Sequence, residues 1–596
     1  MNASNGPDSA DGTAGAAFPD GGTAHGGSAA HGGSTTHGGS TTHGGGTAHG
    51  GTASTGGTVF TGGTVIVDPD RDGDAVTSDA IAFRDGRVRA LGADALALLD
   101  ADPTAYARID LAGGTLAPAL GDGHAHPLLG GVEALGPRIR EAADLPGILS
   151  AVAAWKAEHP DAEWIVGASY DATFAEGGLF DARWLDEVTG DTPTILRAWD
   201  YHTAWANSAA LAAGGITADT PDPALGRIVR RADGSPLGTL QEAAANDFLA
   251  DVVPAFALAQ RLDAIERATR AYAAQGTTWI QDAWVEPGDL EVYLAAAEQG
   301  RLHTRVNLAF RADPARWRAQ RAAFAAARER VRGLAHPRLT AETVKFFVDG
   351  VVESHTAALL EPYADRPDDR GLPNWSPDAL AEAAAAFDAD GFQLHLHAIG
   401  DAANRHALDA LGAARAADPE RERHHVIAHV ALLDPADVAR FAELGVIANF
   451  EPYWAQCDAV MRDLTIPHLG HPRDEWQYLI GSIHRSGATV SFGSDWPVTT
   501  LDWRPALATA ITRHDPADPE AAAWLPEERI DAGAAYAAYT AGIARQALAP
   551  DRGTLEVGRV ADAVWLSADP LRIAPEAIAG LEVRGTWLAG EATFRG

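Results

Sequence analysis

Between Leu116 and about Arg545 the chain alternates apolar runs of five to eight residues with Ala-rich stretches whose apolar positions recur near every 3.6 residues. That alternation is the pattern of strand–helix units around a parallel sheet. Eight runs read as strands: TLAPAL (115–120), TTWIQDA (277–283), TRVNLAF (304–310), TVKFFVD (343–349), FQLHLHA (392–398), HVIAHV (425–430), VIANF (446–450) and TVSFG (489–493). Helical stretches such as PDALAEAAAAFDAD and DPADVARFAELG lie between them and open on polar N-cap candidates. Eight such units predict an α/β fold, a TIM (β/α)8 barrel over residues 115–545, with polar residues at the C-terminal strand ends facing one site. Residues 131–275 are too many for a simple crossover and carry further strand-like runs, WIVGAS and TPTILRAW. They predict an insertion after strand 1 that walls or covers the barrel mouth.

The pattern changes on either side of the barrel. TVFTGGTVIV and DAIAFRDGRVRALG are short β runs, and Asp85-Gly86 stands between two alternating segments as a hairpin requires. GTLEVGRVADAVWLSADP and GLEVRGTWLAGEATF repeat that texture near the other end. Residues 58–114 and 546–596 are therefore expected to join into one small composite β-sandwich. Residues 1–57 are dominated by Gly, Ser, Thr, Ala and His, with His25, His31, His37, His43 and His49 recurring every six residues. So little apolar surface cannot offset the entropy of ordering, which predicts a disordered tail; a loosely metal-collecting arm is the alternative.

Charge and cysteine usage narrow the partners. Lys plus Arg number 46 against 81 Asp plus Glu, a net charge of -35 that repels polyanions, so neither nucleic acid nor an anionic membrane is expected as a partner. A single cysteine, Cys457, excludes an internal disulfide framework and thiolate-rich metal sites, leaving nitrogen and oxygen as ligands. MNASNGPDSADGTAG has neither a basic start nor an apolar core, and no run of about 18 apolar residues occurs, so a cytoplasmic protein is expected.

The residues with chemical capacity sit at or inside the strand runs. His124-Ala125-His126 follows strand 1, and two histidines two residues apart on an extended segment point the same way. Paired neutral imidazoles suit Zn, Mn, Fe or Ni. His397 ends LHLH and His429 ends HVIAH on neighbouring strands 5 and 6, about 4.8 Å apart, so both can reach one ion. Taken singly, either reads more readily as a hydrogen-bonded core histidine. His395 lies one layer deeper than His397 and is expected to support or pack. Asp495 in GSDWP follows strand 8. Lys345 lies inside TVKFFVD, where an unpaired cation would cost several kcal/mol, so it should be neutral or modified. A carbamate formed with carbon dioxide would make it an anionic oxygen ligand; a salt bridge to Asp349 or Glu353 is an equal alternative.

The set of HxH on strand 1, Lys345 on strand 4, histidines on strands 5 and 6 and Asp495 on strand 8 resembles the amidohydrolase superfamily. VKFFVDGVVESHTA, HLHAIGDAANRHALDAL, GSDWPV, DYHTAWANSAAL and GTLQEAA resemble amidohydrolase family 3, and within it the YtcJ-like branch that includes N-substituted formamide deformylase. The resemblance spans residues 58–596. It implies a binuclear centre, commonly two Zn2+ with Mn2+ or Fe2+ as alternatives, bridged by carboxylated Lys345. His124 and His126 would hold the more buried ion with Asp495, and His397 and His429 the other. It also implies hydrolysis of an amide-type C–N bond, other than a peptide bond, by a metal-bound hydroxide, with Asp495 as the catalytic proton carrier. This sequence departs from the pattern at Ala428, where Glu often precedes the strand-6 histidine, and at Glu451, where Gln often precedes the proline.

Trp199, Trp205, Trp284, Tyr453 and Trp454 suggest a substrate with an apolar amine portion, although they read equally well as core. Substrate contacts are expected from Trp205, Asn207, Glu242, Trp284, Glu451 and Trp454, with Ser208 and Gln241 as further liners. The expected partner is a small-molecule amide, and a homodimer is favoured by analogy. Two other readings stay open. A mononuclear deaminase needs a Glu shortly after the strand-5 histidine, where Ala398, Ile399, Gly400 and Asp401 stand. A non-catalytic metabolite-binding regulator should have lost ligands.

Overall fold

The computed structural model describes residues 56–71, 73–515 and 522–596, so most of the His-rich tail lies outside the described residues. An eight-stranded parallel sheet forms the centre: β1 (Leu120–Ala125), β2 (Thr277–Val285), β3 (Arg305–Arg311), β4 (Leu339–Phe347), β5 (Gln393–Ala398), β6 (Val426–His429), β7 (Ile447–Phe450) and β8 (Val490–Phe492). Each strand pairs with the next in sequence order, as right-handed strand–helix repeats require. The ring closes through backbone just past the ends of β1 and β8. Asp495 N donates to His124 O at 2.7 Å, and His126 N donates to Trp496 O at 2.8 Å. Only glycine permits that approach at position 493, because a Cβ there would stand 2.8 Å from His124 N. The TIM-barrel expectation is met.

One predicted strand is displaced. Thr115–Pro118 does not open the barrel; it pairs antiparallel with Ala563–Leu566 and parallel with Thr64 and Val65. The barrel begins at Leu120. From Thr115 to His126 every residue is buried, so no in–out alternation marks where the chain leaves one sheet for the other. Pro118, which has no N–H to donate to a ladder, stands at the crossing.

That outer sheet has six strands in the order Glu591–Arg595, Val583–Leu588, Ala563–Leu566, Thr115–Pro118, Thr64–Arg71, Asp74–Ser78. A four-stranded sheet from residues 57–110 shares its core: Phe60, Phe83 and Val88 pack with Leu555, Ala563 and Trp587, and the Phe60 and Trp587 rings meet edge-on at 4.9 Å. Asp85 and Gly86 both have positive φ (53° and 75°) between Ile81–Arg84 and Arg87–Leu91, the two-residue hairpin the sequence suggested. The outer sheets are tied to the barrel by a buried bidentate pair, Arg305 to Asp562 at 2.7 and 3.1 Å. Asp562 also accepts from Ala589 N. Removing one partner of a buried pair strands the other charge, so Asp562→Ala is expected to cost about 3–5 kcal/mol. A lower denaturation midpoint would report it; an unchanged midpoint would show the tie to be dispensable.

Between β1 and β2 the chain builds a separate five-stranded sheet in the order Gly226–Arg230, Pro236–Glu242, Thr203–Ala206, Thr194–Ala198, Ile165–Tyr170. Helix Leu258–Ala274 then returns the chain to β2. The helix predicted in PDALAEAAAAFDAD runs Pro377–Ala389, with Pro377 in the first turn and the Ser376 side chain accepting from Ala379 N.

Candidate metal centre

β1 carries His124 near its C-terminal end, and His126 follows just beyond it. Asp122 accepts from His124 N, Ser494 N, Tyr272 Oη and Ser494 Oγ, and this network fixes the strand that holds the histidines. His124 is the hub. Its Nε2 lies 3.2 Å from Lys345 Nζ and 3.7 Å from Asp495 Oδ1, and its Nδ1 lies 2.9 Å from His395 Nε2. His126 Nε2 stands 2.8 Å from Asp495 Oδ1. Asp495 Oδ1 and His126 Nδ1 are both buried without an assigned hydrogen-bond partner among the described residues.

Strand register sets the remaining groups. Lys345 on β4 is level with His395 on β5; one pleat higher, Phe347 is level with His397, and Ala398 is level with His429 on β6. The His429 ring lies 4.5 Å from that of His124 and 4.6 Å from that of His397. Its Nδ1 is 2.9 Å from Glu451 Oε2, and Trp454 stacks on it at 5.5 Å. Glu451 Oε1 has no hydrogen-bond partner among the described residues although the residue is fully buried.

Two groups of donor atoms each lie within 4.8 Å of one another: His124, His126 and Asp495, and His124, His429 and Glu451. The first matches the set expected around the more buried ion. The second differs from expectation, because His397 turns its Nε2 to Gly350 O at 3.1 Å while Glu451 enters as an acid beside His429.

Burial controls the protonation of these groups. It holds His124, His126, His395 and His397 below the ordinary imidazole range and pushes His429 down to about 3, which keeps lone pairs available for a cation. It also lowers Lys345 to about 7. The lysine makes no ion pair among the described residues. Asp349 instead accepts from Ala358, Ile399 and Gly400 backbone N–H groups, and Glu353 accepts from Thr465 Oγ1, so the salt-bridge alternative fails. Burial opposes ionisation of Asp495, but His126, His429 and Lys345 outweigh it and hold the carboxyl low. Glu451, buried beside that carboxylate, is pushed well up. Neutral imidazoles, one carboxylate and unpaired buried oxygen atoms fit a divalent cation.

The expected substrate contacts divide. Trp284 lies 6.2 Å from His126, ring to ring, and Trp454 and Glu451 touch His429. Glu242 reaches the site through His202: its Oε2 is 2.8 Å from His202 Nδ1, and the His202 ring is 5.4 Å from that of His397. Trp205 and Asn207 require correction. Trp205 is fully buried against Phe180 and Trp184 inside the inserted region, with its Nε1 donating to Asp181 O. Asn207 caps helix Ser208–Ala213. Ser208 binds Asp186, and Gln241 pairs within the inserted sheet.

Three residues at the site were passed over in the sequence. His202, which burial disfavours as a cation but Glu242 and Asp200 raise to about 9, lies in DYHTAWANSAAL. Arg197, in TPTILRAW, sits over Trp284 at 5.6 Å without an ion pair among the described residues, the same signal of a cation in an apolar run that marked Lys345. Phe347 lies 4.7 Å under Lys345 Nζ and 5.3 Å from His397.

The chain is similar to several known proteins. N-substituted formamide deformylase of Arthrobacter pascens is 26% identical over 529 residues, covering 86% of this chain and 94% of that protein. Protein LONG AFTER FAR-RED 3 of Arabidopsis thaliana is 30% identical over 507 residues, covering 83% and 84%. An uncharacterized metal-dependent hydrolase from Pyrococcus horikoshii shares the fold, with a TM-score of 0.69 at 21% identity over 87% of this chain and 99% of that one. The pattern that defines the Amidohydrolase family matches residues 107–594, which takes in every strand of the barrel and all of the clustered donors, and the chain belongs to that family.

Proposed function

We propose that the protein is a metal-dependent hydrolase that cleaves a C–N bond of a small amide or formamide. The observation that carries this reading is the convergence of His124, His126 and Asp495 within 4.8 Å, beside a buried Lys345 that makes no ion pair among the described residues. His124, His126 and Asp495 would hold one zinc-class ion, and His429 with His397 or Glu451 a second. When bound, such ions lower the pKa of water from 15.7 to roughly 7 and polarise a carbonyl oxygen.

The chain's own residues supply the rest. Lys345, lowered to about 7 by burial and so neutral in a large share of molecules at pH 7, would add through Nζ to carbon dioxide and lose one proton, giving a carbamate that would serve as an anionic oxygen ligand for the metal centre. Asp495, at the end of the β8–β1 seam, accepts the proton of the attacking water and returns it to the leaving nitrogen. Phe347, Trp284 and Trp454 form an apolar rim that favours an uncharged or aromatic amine portion.

Trp284→Ala is expected to raise KM for an aryl amide about tenfold, with kcat little changed, as loss of roughly 1.4 kcal/mol of uniform binding would give. A fall in kcat alone would place Trp284 in the chemistry instead. The reading as a whole is tested by screening N-formyl and N-acyl amines with zinc-loaded protein and with the His124→Ala/His126→Ala pair. Turnover that the double variant loses together with metal supports it. Silence of the loaded protein on every amide overturns it.

A further inference from the structure

A third group of metal-type donors lies outside the barrel centre. His355 is in the loop between β4 and helix Pro377–Ala389, Asp365 lies ten residues later in the same loop, and His468 belongs to the short helix Ile466–Leu469 beyond β7. His355 Nε2 is 2.8 Å from Asp365 Oδ2, and His468 Nε2 is 3.7 Å from the same oxygen. The two imidazole centroids stand 4.0 Å apart, and one donor atom from each of the three residues lies within 4.8 Å of the others. Donors around a tetrahedral zinc ion, at bond lengths of 2.0–2.1 Å, stand roughly 3.3 Å apart, so the observed spacings bracket what an ion needs.

The rest of the arrangement aims these atoms. His468 Nδ1 lies 3.4 Å from Val352 O; donating there leaves Nε2 as the free lone pair, the support that ligating histidines commonly have. His355 holds a left-handed backbone (φ 59°), costly for a residue with a Cβ, and its N–H closes a turn onto Val352 O at 2.9 Å. The two segments are joined independently of the cluster. Ala364 N donates to His468 O at 2.8 Å, and Arg473 donates to Glu361 O and Pro362 O, each at 2.8 Å. His355 is buried, whereas Asp365 is 39% exposed on its side chain, which leaves a path from solvent. Arg366, next to Asp365 in the chain, is engaged with Asp369 at 3.6 Å.

We propose that His355, Asp365 and His468 form a separate binding site for one zinc-class divalent ion, which clamps the loop after β4 to the segment after β7. The site sets the loop that also supplies Gly350 O to His397, so the ion would stiffen one wall of the barrel mouth. Nothing in this assignment depends on the chemistry proposed for the barrel centre.

The test is equilibrium dialysis of the full chain against buffered Zn2+, comparing wild type with Asp365→Asn, His468→Gln and Asp365→Glu. The first two should each bind one equivalent fewer than wild type, whereas Asp365→Glu, which keeps the carboxylate, should retain it. The tail and the barrel centre are common to all four proteins and cancel in the difference. The His124→Ala/His126→Ala variant should still lose that equivalent on adding Asp365→Asn, which separates this site from the central one. In chelator, wild type and Asp365→Asn should melt together, and zinc should raise only the wild-type midpoint by the larger step. Equal zinc content in wild type, Asp365→Asn and His468→Gln would overturn the proposal and reduce the cluster to a hydrogen-bonded loop clasp.

Discussion

Replacing Lys345 with alanine is expected to lower turnover by roughly 10³-fold or more, because a bridging ligand underwrites several kcal/mol of charge stabilisation and each 1.36 kcal/mol is tenfold in rate. Metal content should fall with it. The loss should be partly repaired by added formate or acetate, whose carboxylate can enter the volume the side chain leaves and stand in for the carbamate oxygens. The fully buried lysine has His124 Nε2 at 3.2 Å and the Phe347 ring at 4.7 Å as neighbours, so the truncation opens a cavity at the centre of the cluster. Full metal and full turnover in Lys345→Ala would exclude a bridging role.

Asp495→Asn gives the second large effect. The amide preserves shape and the backbone bond from residue 495 to His124 O, but it cannot carry a proton, so kcat is expected to fall by about 10²–10⁴. Because the same oxygen faces His126 at 2.8 Å, one equivalent of metal should also bind more weakly. A variant with unchanged kcat would move proton transfer elsewhere, with His429–Glu451 and His202–Glu242 the titratable pairs at hand.

These expectations rest on residues that could be found without coordinates, and the reason is physical. His124, His397, His429 and Asp495 lie at strand ends that their own apolar runs delimit, and parallel packing brings such ends together whatever the loops do. Lys345 stood out because a cation inside TVKFFVD has no cheap environment. Strand 1 was legible only in part: LAPALGDGHA is buried on both faces in two successive sheets, so periodicity says nothing about the join. Trp205 and Asn207 were misread because a motif places residues along the chain, whereas the facing of the inserted sheet is decided by packing against Phe180 and Trp184. Glu451, expected at substrate, lies as a buried carboxyl on His429, a relation that spans two strands and leaves no local trace.

The weave of the outer sheet also has a temporal side. Thr115–Pro118 takes Ala563–Leu566 as a neighbour, and at synthesis rates of about 5–20 residues per second that partner follows some 450 residues later, roughly 20 to 90 s behind. During that interval the strand has an open edge on the side its late partner will cover. Pro118 blunts the waiting edge against pairing with another nascent chain. Strands Val583–Leu588 and Glu591–Arg595, made long after Thr64–Arg71, complete the sheet which that strand began.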